Sequence, residues 1–196
     1  MPVHHFNRDS LPATPWKNGG GITREIVCQP PGAGMDAFDW RVSIAHIASD
    51  GPFSAFAGVD RVITLLEGAG VQLSSPDGQV QHRLDTPLLP FAFAGEAPVV
   101  GQLRGGDCHD FNVMTRRARC HASVTVCRTS GDVPPAPHGL LMAVSGEWQV
   151  RGDSHGPHAL HPGQGLWWND ETISWRLGCK AAGAALLCVC IHPVNP

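Results

Sequence analysis

The apolar residues of this 196-residue chain come in short runs, each cut off by glycine, proline or aspartate before a long helix could form. With 23 glycines and 17 prolines, about a fifth of all positions disfavour a helix interior. The surviving runs alternate, or carry β-branched residues, over the length of a strand. The clearest are Trp40–Ile47, Arg61–Leu66, Gly70–Ser74, Val99–Leu103, Asp110–Met114, Ala122–Cys127, Leu140–Val144, Glu147–Val150, Ile173–Leu177 and Ala184–His192. This pattern predicts an all-β protein with little helix. A chain of this length that is 42% hydrophobic can fill one core or a tightly fused pair.

Two parts of the chain repeat each other loosely. Leu65-Leu66-Glu67-Gly68, His82, Pro87 and Pro90-Phe91-Ala92-Phe93 are echoed by Ala143-Val144-Ser145-Gly146, His158, Pro162 and Leu166-Trp167-Trp168. The repeat predicts two similar β-barrel modules, residues 1–128 and 129–196, with strands free to exchange between them. Thr129–Gly139 is the natural linker, because Pro134, Pro135 and Pro137 offer no ladder donors.

Charge narrows the partners. The net charge is −3 and the basic residues cluster only at Arg116-Arg117, which speaks against nucleic acid and anionic membranes. No apolar run approaches the ~18 residues of a membrane span, and Met1–Asn7 lacks a signal-peptide pattern, so a cytoplasmic location is expected. The seven cysteines are scattered without a C-x-x-C pair and read as reduced thiols packed like small hydrophobes. The histidines His155, His158 and His161 lie in a Gly/Pro-rich stretch, and His4-His5 is terminal. That placement predicts no designed metal site, and no cofactor is expected.

The succession of strand, Leu-Glu-Gly turn, strand, proline turn and aromatic strand resembles the cupin fold. Metal-binding cupins carry H-x-H-x-x-x-E ahead of that turn. Counting back from Glu67-Gly68 places Ser54 and Phe56 at the histidine positions and Asp60 at the glutamate. A phenyl ring cannot ligate a metal, and a serine hydroxyl is a poor substitute for imidazole. Longer blocks are more specific: Pro15-Trp16-Lys17-Asn18-Gly19-Gly20-Gly21, Trp40-Arg41-Val42-Ser43, Asp50-Gly51-Pro52-Phe53-Ser54, Asp60–Gly68, Pro90–Glu96 and Asp110–Arg116. Together they resemble the HutD/Ves family. The resemblance implies a bicupin, two cupin-type barrel or jelly-roll modules in one chain, associated with bacterial histidine utilisation. It also implies a regulatory role toward a pathway intermediate, and it supplies no catalytic residues.

The residues themselves point to an anionic ligand. Strand alternation puts Arg41 and Ser43 on one face of Trp40–Ile47, and Asp110 and Asn112 on one face of Asp110–Met114. An arginine within a barrel strand either faces water or must be paired, and its planar fork fits a carboxylate. Arg61 opens its strand in the same way. Arg41 or Arg61 could equally pair internally with Glu25, Asp60 or Asp110, and internal pairing and ligand contact can coexist. Lys17 and Asn18 precede a glycine turn able to approach an anion, and Phe53 and Phe93 could wall a planar ligand.

Three functions stay open at this point. The first is a metal-independent binder of a small anionic metabolite, with urocanate or N-formylglutamate as candidates under the family resemblance. The second is a metal-free isomerase or hydrolase using Asp110 or Glu25 as base. The third is a protein-binding regulatory module. Homodimerisation is compatible with all three.

Overall fold

The structure is a computed structural model and describes residues 3–194. Among these residues the only helical segment is a 3-10 turn at Arg8–Ser10, and no helix is long and apolar enough to cross a membrane. The chain divides into two compact units. One holds residues 12–121; the other joins the N-terminal segment through Leu11 to the residues from Ala122 onward. The N-terminal strand β1 (His4–Asn7) therefore belongs to the second unit.

The first unit carries β2 (Ala13–Pro15), β3 (Gly21–Gln29), β4 (Trp40–Ile47), β5 (Gly51–Pro52), β6 (Val59–Glu67), β7 (Val71–Ser74), β8 (Gln81–Leu84), β9 (Phe91–Ala94), β10 (Val100–Leu103) and β11 (Cys108–Arg116). Its six-stranded sheet is ordered β2-β3-β4-β11-β6-β9, and its four-stranded sheet β5-β10-β7-β8. Ile47, Ile63, Leu65 and Phe93 of the larger sheet pack with Val71, Leu73 and Leu84 of the smaller. Burial of each such side chain contributes about 1.5–3 kcal/mol.

The second unit adds β12 (Cys120–Cys127), β13 (Gly131–Ala136), β14 (His138–Ser145), β15 (Trp148–Gly152), β16 (Pro157–Leu160), β17 (Gln164–Trp168), β18 (Ile173–Cys179) and β19 (Ala185–Pro193). Its sheets are ordered β1-β17-β14-β19-β12 and β13-β18-β15-β16. Trp148, Trp168 and Trp175 are fully buried among Leu141, Leu160, Leu166 and Leu186.

The two units share one pairing scheme. β6 pairs β9 and β11 just as β14 pairs β17 and β19; β7 pairs β8 and β10 just as β15 pairs β16 and β18. The turns after β6 and β14 need glycine in both copies. Gly68 sits at φ +98° and Gly146 at φ +73°, a region closed to most side chains.

Two sequence expectations differ from this arrangement. The module boundary expected at residue 128 falls instead at 121/122, and residues through Leu11 group with the second unit because β1 pairs along β17. The expected linker Thr129–Gly139 contains β13, paired with β18. Pro134 and Pro135 fall in the register shift between Val133 and Ala136, and β13 is an edge strand, so their missing N–H groups break no interior ladder.

Candidate functional site

Antiparallel register decides which side chains share a face of the six-stranded sheet, because directly paired residues point the same way. Arg41 pairs Met114, Met114 pairs Arg61, and Arg61 pairs Phe93. The next row on that face runs Glu25, Ser43, Asn112, Ile63, and the one after it Thr23, Ala45, Asp110, Leu65. Ile63, Leu65 and Phe93 belong to the apolar core between the sheets, so this is the interior face. Three strands, β4, β6 and β11, thus bring Arg41, Ser43, Arg61, Asp110 and Asn112 inside, and every one is buried.

Arg61 is the centre of the cluster. Its guanidinium lies over the rings of Phe53, Phe56 and Phe93, 5.5, 5.7 and 5.1 Å from their centroids. Nη1 donates to the Ser54 carbonyl at 3.3 Å, while Nε has no hydrogen-bond partner. Burial lowers its pKa to about 10 against the opposing pull of Asp110, so the group stays cationic at neutral pH. Three aromatic faces stabilise a cation but accept no fork of hydrogen bonds.

Asp110 is 1% exposed. Burial pushes its carboxyl up to about 6, opposed by the charge of Arg61 and by N–H groups of its own residue and Ala45. Its Oδ1 has no partner, and neither has Oδ1 of Asn112. Leaving a buried polar atom unpaired costs roughly 1–3 kcal/mol. Here one donor and two acceptors are unpaired on a single interior face.

Arg41 shows what a satisfied arginine looks like in the same setting. Its Nε donates to Glu25 at 2.7 Å and its Nη1 to the Ser43 hydroxyl at 3.3 Å. Glu25 is half-exposed, so this pair leads from the buried face toward solvent. The internal pairing weighed from sequence therefore holds for Arg41.

Lys17 and Asn18 are both exposed, on the turn between β2 and β3. Asn18 Oδ1 accepts from the Gly20 N–H at 3.0 Å, so the side chain shapes the glycine turn. Asp60 points to the opposite face from Arg61 and accepts from Arg117, which also grips Glu96. Phe56 was not singled out as a ligand-site residue from the sequence. Its signal was the cupin alignment: Ser54 and Phe56 hold the two histidine positions, and both contact Arg61. The Arg61 guanidinium thus sits against both of these positions. Among the described residues, no group of three or more His, Cys, Asp or Glu side chains is arranged to hold a metal ion.

Paired sheets of this topology, with an interior polar cluster, define a cupin-type β protein. A cupin barrel-domain protein from Leptotrichia buccalis has the same fold, with a TM-score of 0.62 at 11% identity over 97% of this chain and 98% of that one. The chain belongs to the HutD family, whose model matches residues 8–188. It is 42% identical over 185 residues to Protein Ves of Cronobacter sakazakii, covering 94% of this chain and 96% of the relative. It is also similar to HutD from Pseudomonas fluorescens SBW25, solved in a formate condition, at 31% identity and a TM-score of 0.84 over 99% and 100% of the two chains.

Proposed function

We propose that the first unit binds a small carboxylate metabolite inside its barrel, without a metal, and that this binding serves a regulatory role in histidine catabolism. The observation carrying the reading is the unpaired set on one buried face: Arg61 Nε as donor, with Asp110 Oδ1 and Asn112 Oδ1 as acceptors. A carboxylate would engage Arg61, and a hydrogen-bond donor elsewhere on the ligand would reach the acceptors. N-formylglutamate and urocanate both combine a carboxylate with an N–H group. The pathway assignment rests on family membership and on the HutD relative from Pseudomonas fluorescens.

A thermal-shift titration with N-formylglutamate, urocanate, histidine, glutamate and formate, each with and without EDTA, tests the proposal. Saturation at a hundredfold excess over Kd adds about 2.7 kcal/mol, a rise of roughly 5–10 °C for a chain this size. A saturable, EDTA-insensitive rise for one compound is expected. No shift at millimolar concentration for any of them overturns the proposal.

The position of Asp110 favours one second reading. A buried carboxyl pushed up to about 6 suits a general base, which keeps a metal-free isomerase or hydrolase in play. Turnover abolished by Asp110→Asn in a folded protein would decide for it.

A further inference from the structure

Cys127 on β12 and Cys188 on β19 lie on neighbouring strands of the five-stranded sheet, with their sulfurs 3.5 Å apart. The Cys188 thiol donates to the Cys127 sulfur. Cys188 is buried in the apolar core of the second unit, whereas Cys127 is partly exposed at the edge of that core. All seven cysteines are free thiols. A disulfide needs the sulfurs at about 2.05 Å, so the pair is short of bonding by a small side-chain movement.

We propose that Cys127 and Cys188 form a hydroperoxide-responsive thiol pair, with Cys127 as the attacking sulfur and Cys188 as the resolving one. The Cys127 thiolate attacks one peroxide oxygen: an S–O bond forms, the O–O bond breaks, and the departing hydroxide takes a proton to become water. Cys127 is then a sulfenic acid. The Cys188 sulfur attacks the Cys127 sulfur, forming the S–S bond as the S–O bond breaks. The hydroxyl leaves as a second water, carrying the Cys188 proton. Two thiols are oxidised by two electrons, and one peroxide is reduced to two waters.

The electrostatic surroundings set this pair apart from Cys28, Cys108 and Cys120. The hydrogen bond from Cys188 holds the Cys127 thiol down at about 7, against the effect of burial, while that same contact and burial push Cys188 up. Burial pushes Cys108 up to about 12 and Cys120 up to about 11, and it raises Cys28 as well. Cys190, two residues along β19, has its sulfur 4.0 Å from the Pro134 carbonyl.

The test uses the full chain. Purified, reduced protein is treated with hydrogen peroxide, quenched with an alkylating reagent and mapped by peptide mass spectrometry without reduction. The expected product is a Cys127–Cys188 crosslink, reversed by a dithiol. Cys127→Ser abolishes it, and Cys188→Ser leaves Cys127 trapped by a sulfenic-acid probe. On unoxidised protein at pH 7, Cys127 alkylates roughly tenfold faster than Cys28. Recovery of Cys127 and Cys188 as free thiols after a dose that oxidises Cys28 would overturn the proposal, and so would a Cys127–Cys190 crosslink. Should a serine variant fail to fold, the unmodified protein's map decides alone.

Discussion

Arg61 on β6 and Asp110 on β11 face the same interior, attract each other, and still leave Arg61 Nε and Asp110 Oδ1 without hydrogen bonds. Burial works against both charges: it lowers the arginine and raises the carboxyl. Two opposite charges taken out of water without full hydrogen bonding are held at a cost to folding. A fold that keeps such a pair on one face with Asn112 is prepared for something polar to complete it.

Replacing Arg61 affects stability and binding together. Arg61→Leu removes the cation facing Asp110 and leaves that carboxyl buried without its counter-charge, so the protein should lose about 3–5 kcal/mol at neutral pH. Carboxylate binding should weaken at least about thirtyfold, the equivalent of about 2 kcal/mol. Arg61→Lys should bind poorly too, since an ammonium cannot offer the planar fork. Calorimetric titration alongside thermal unfolding reads both quantities.

Carboxylate affinity should rise as pH falls through about 6. Above that pH Asp110 is ionised and repels an anion seated on Arg61; below it the repulsion is gone. In Asp110→Asn the affinity should be flat between pH 5 and 8. The folded pKa of Asp110 is raised, so its contribution to stability is fully present below the unfolded value of 3.8 and is lost as pH rises through about 6. Calorimetry across that range, with wild type and variant compared, measures both effects.

Phe93 supports the core and the guanidinium together. It packs with Ile63 and Leu65 and lies under Arg61. Phe93→Ala should cost about 3–4 kcal/mol, mostly from the cavity it leaves. Denaturant unfolding gives the value, and a loss below about 1 kcal/mol would mean the ring is not packed as described.

The N-terminal strand should prove necessary to the second unit. Gly165 on β17 leaves room for Phe6 of β1: a Cβ there would meet the Phe6 ring and would lie 2.5 Å from the Leu141 carbonyl. Gly165→Ala should destabilise the protein by at least about 2 kcal/mol, because backbone on one side cannot yield. Unfolding followed by tryptophan emission is a direct probe, since Trp148, Trp168 and Trp175 are buried in this unit.

Much of this arrangement was legible in residue order. Glycine and proline punctuation, alternating runs and the loose repeat imply two β modules, since a strand's period and its turn residues are local properties. Alternation along two strands put Arg41 with Ser43, and Asp110 with Asn112, on shared faces; strand pairing made that face the interior. Phe56 on Arg61, Asn18 turned back on its own glycine turn, β1 beside β17 and Cys127 beside Cys188 were not legible. Each depends on register between segments far apart in the chain, and register is settled only when strands pair and their faces close on a core. Local chemistry wrote the strands and the polar residues within them; long-range pairing chose which polar atoms meet and which are left open.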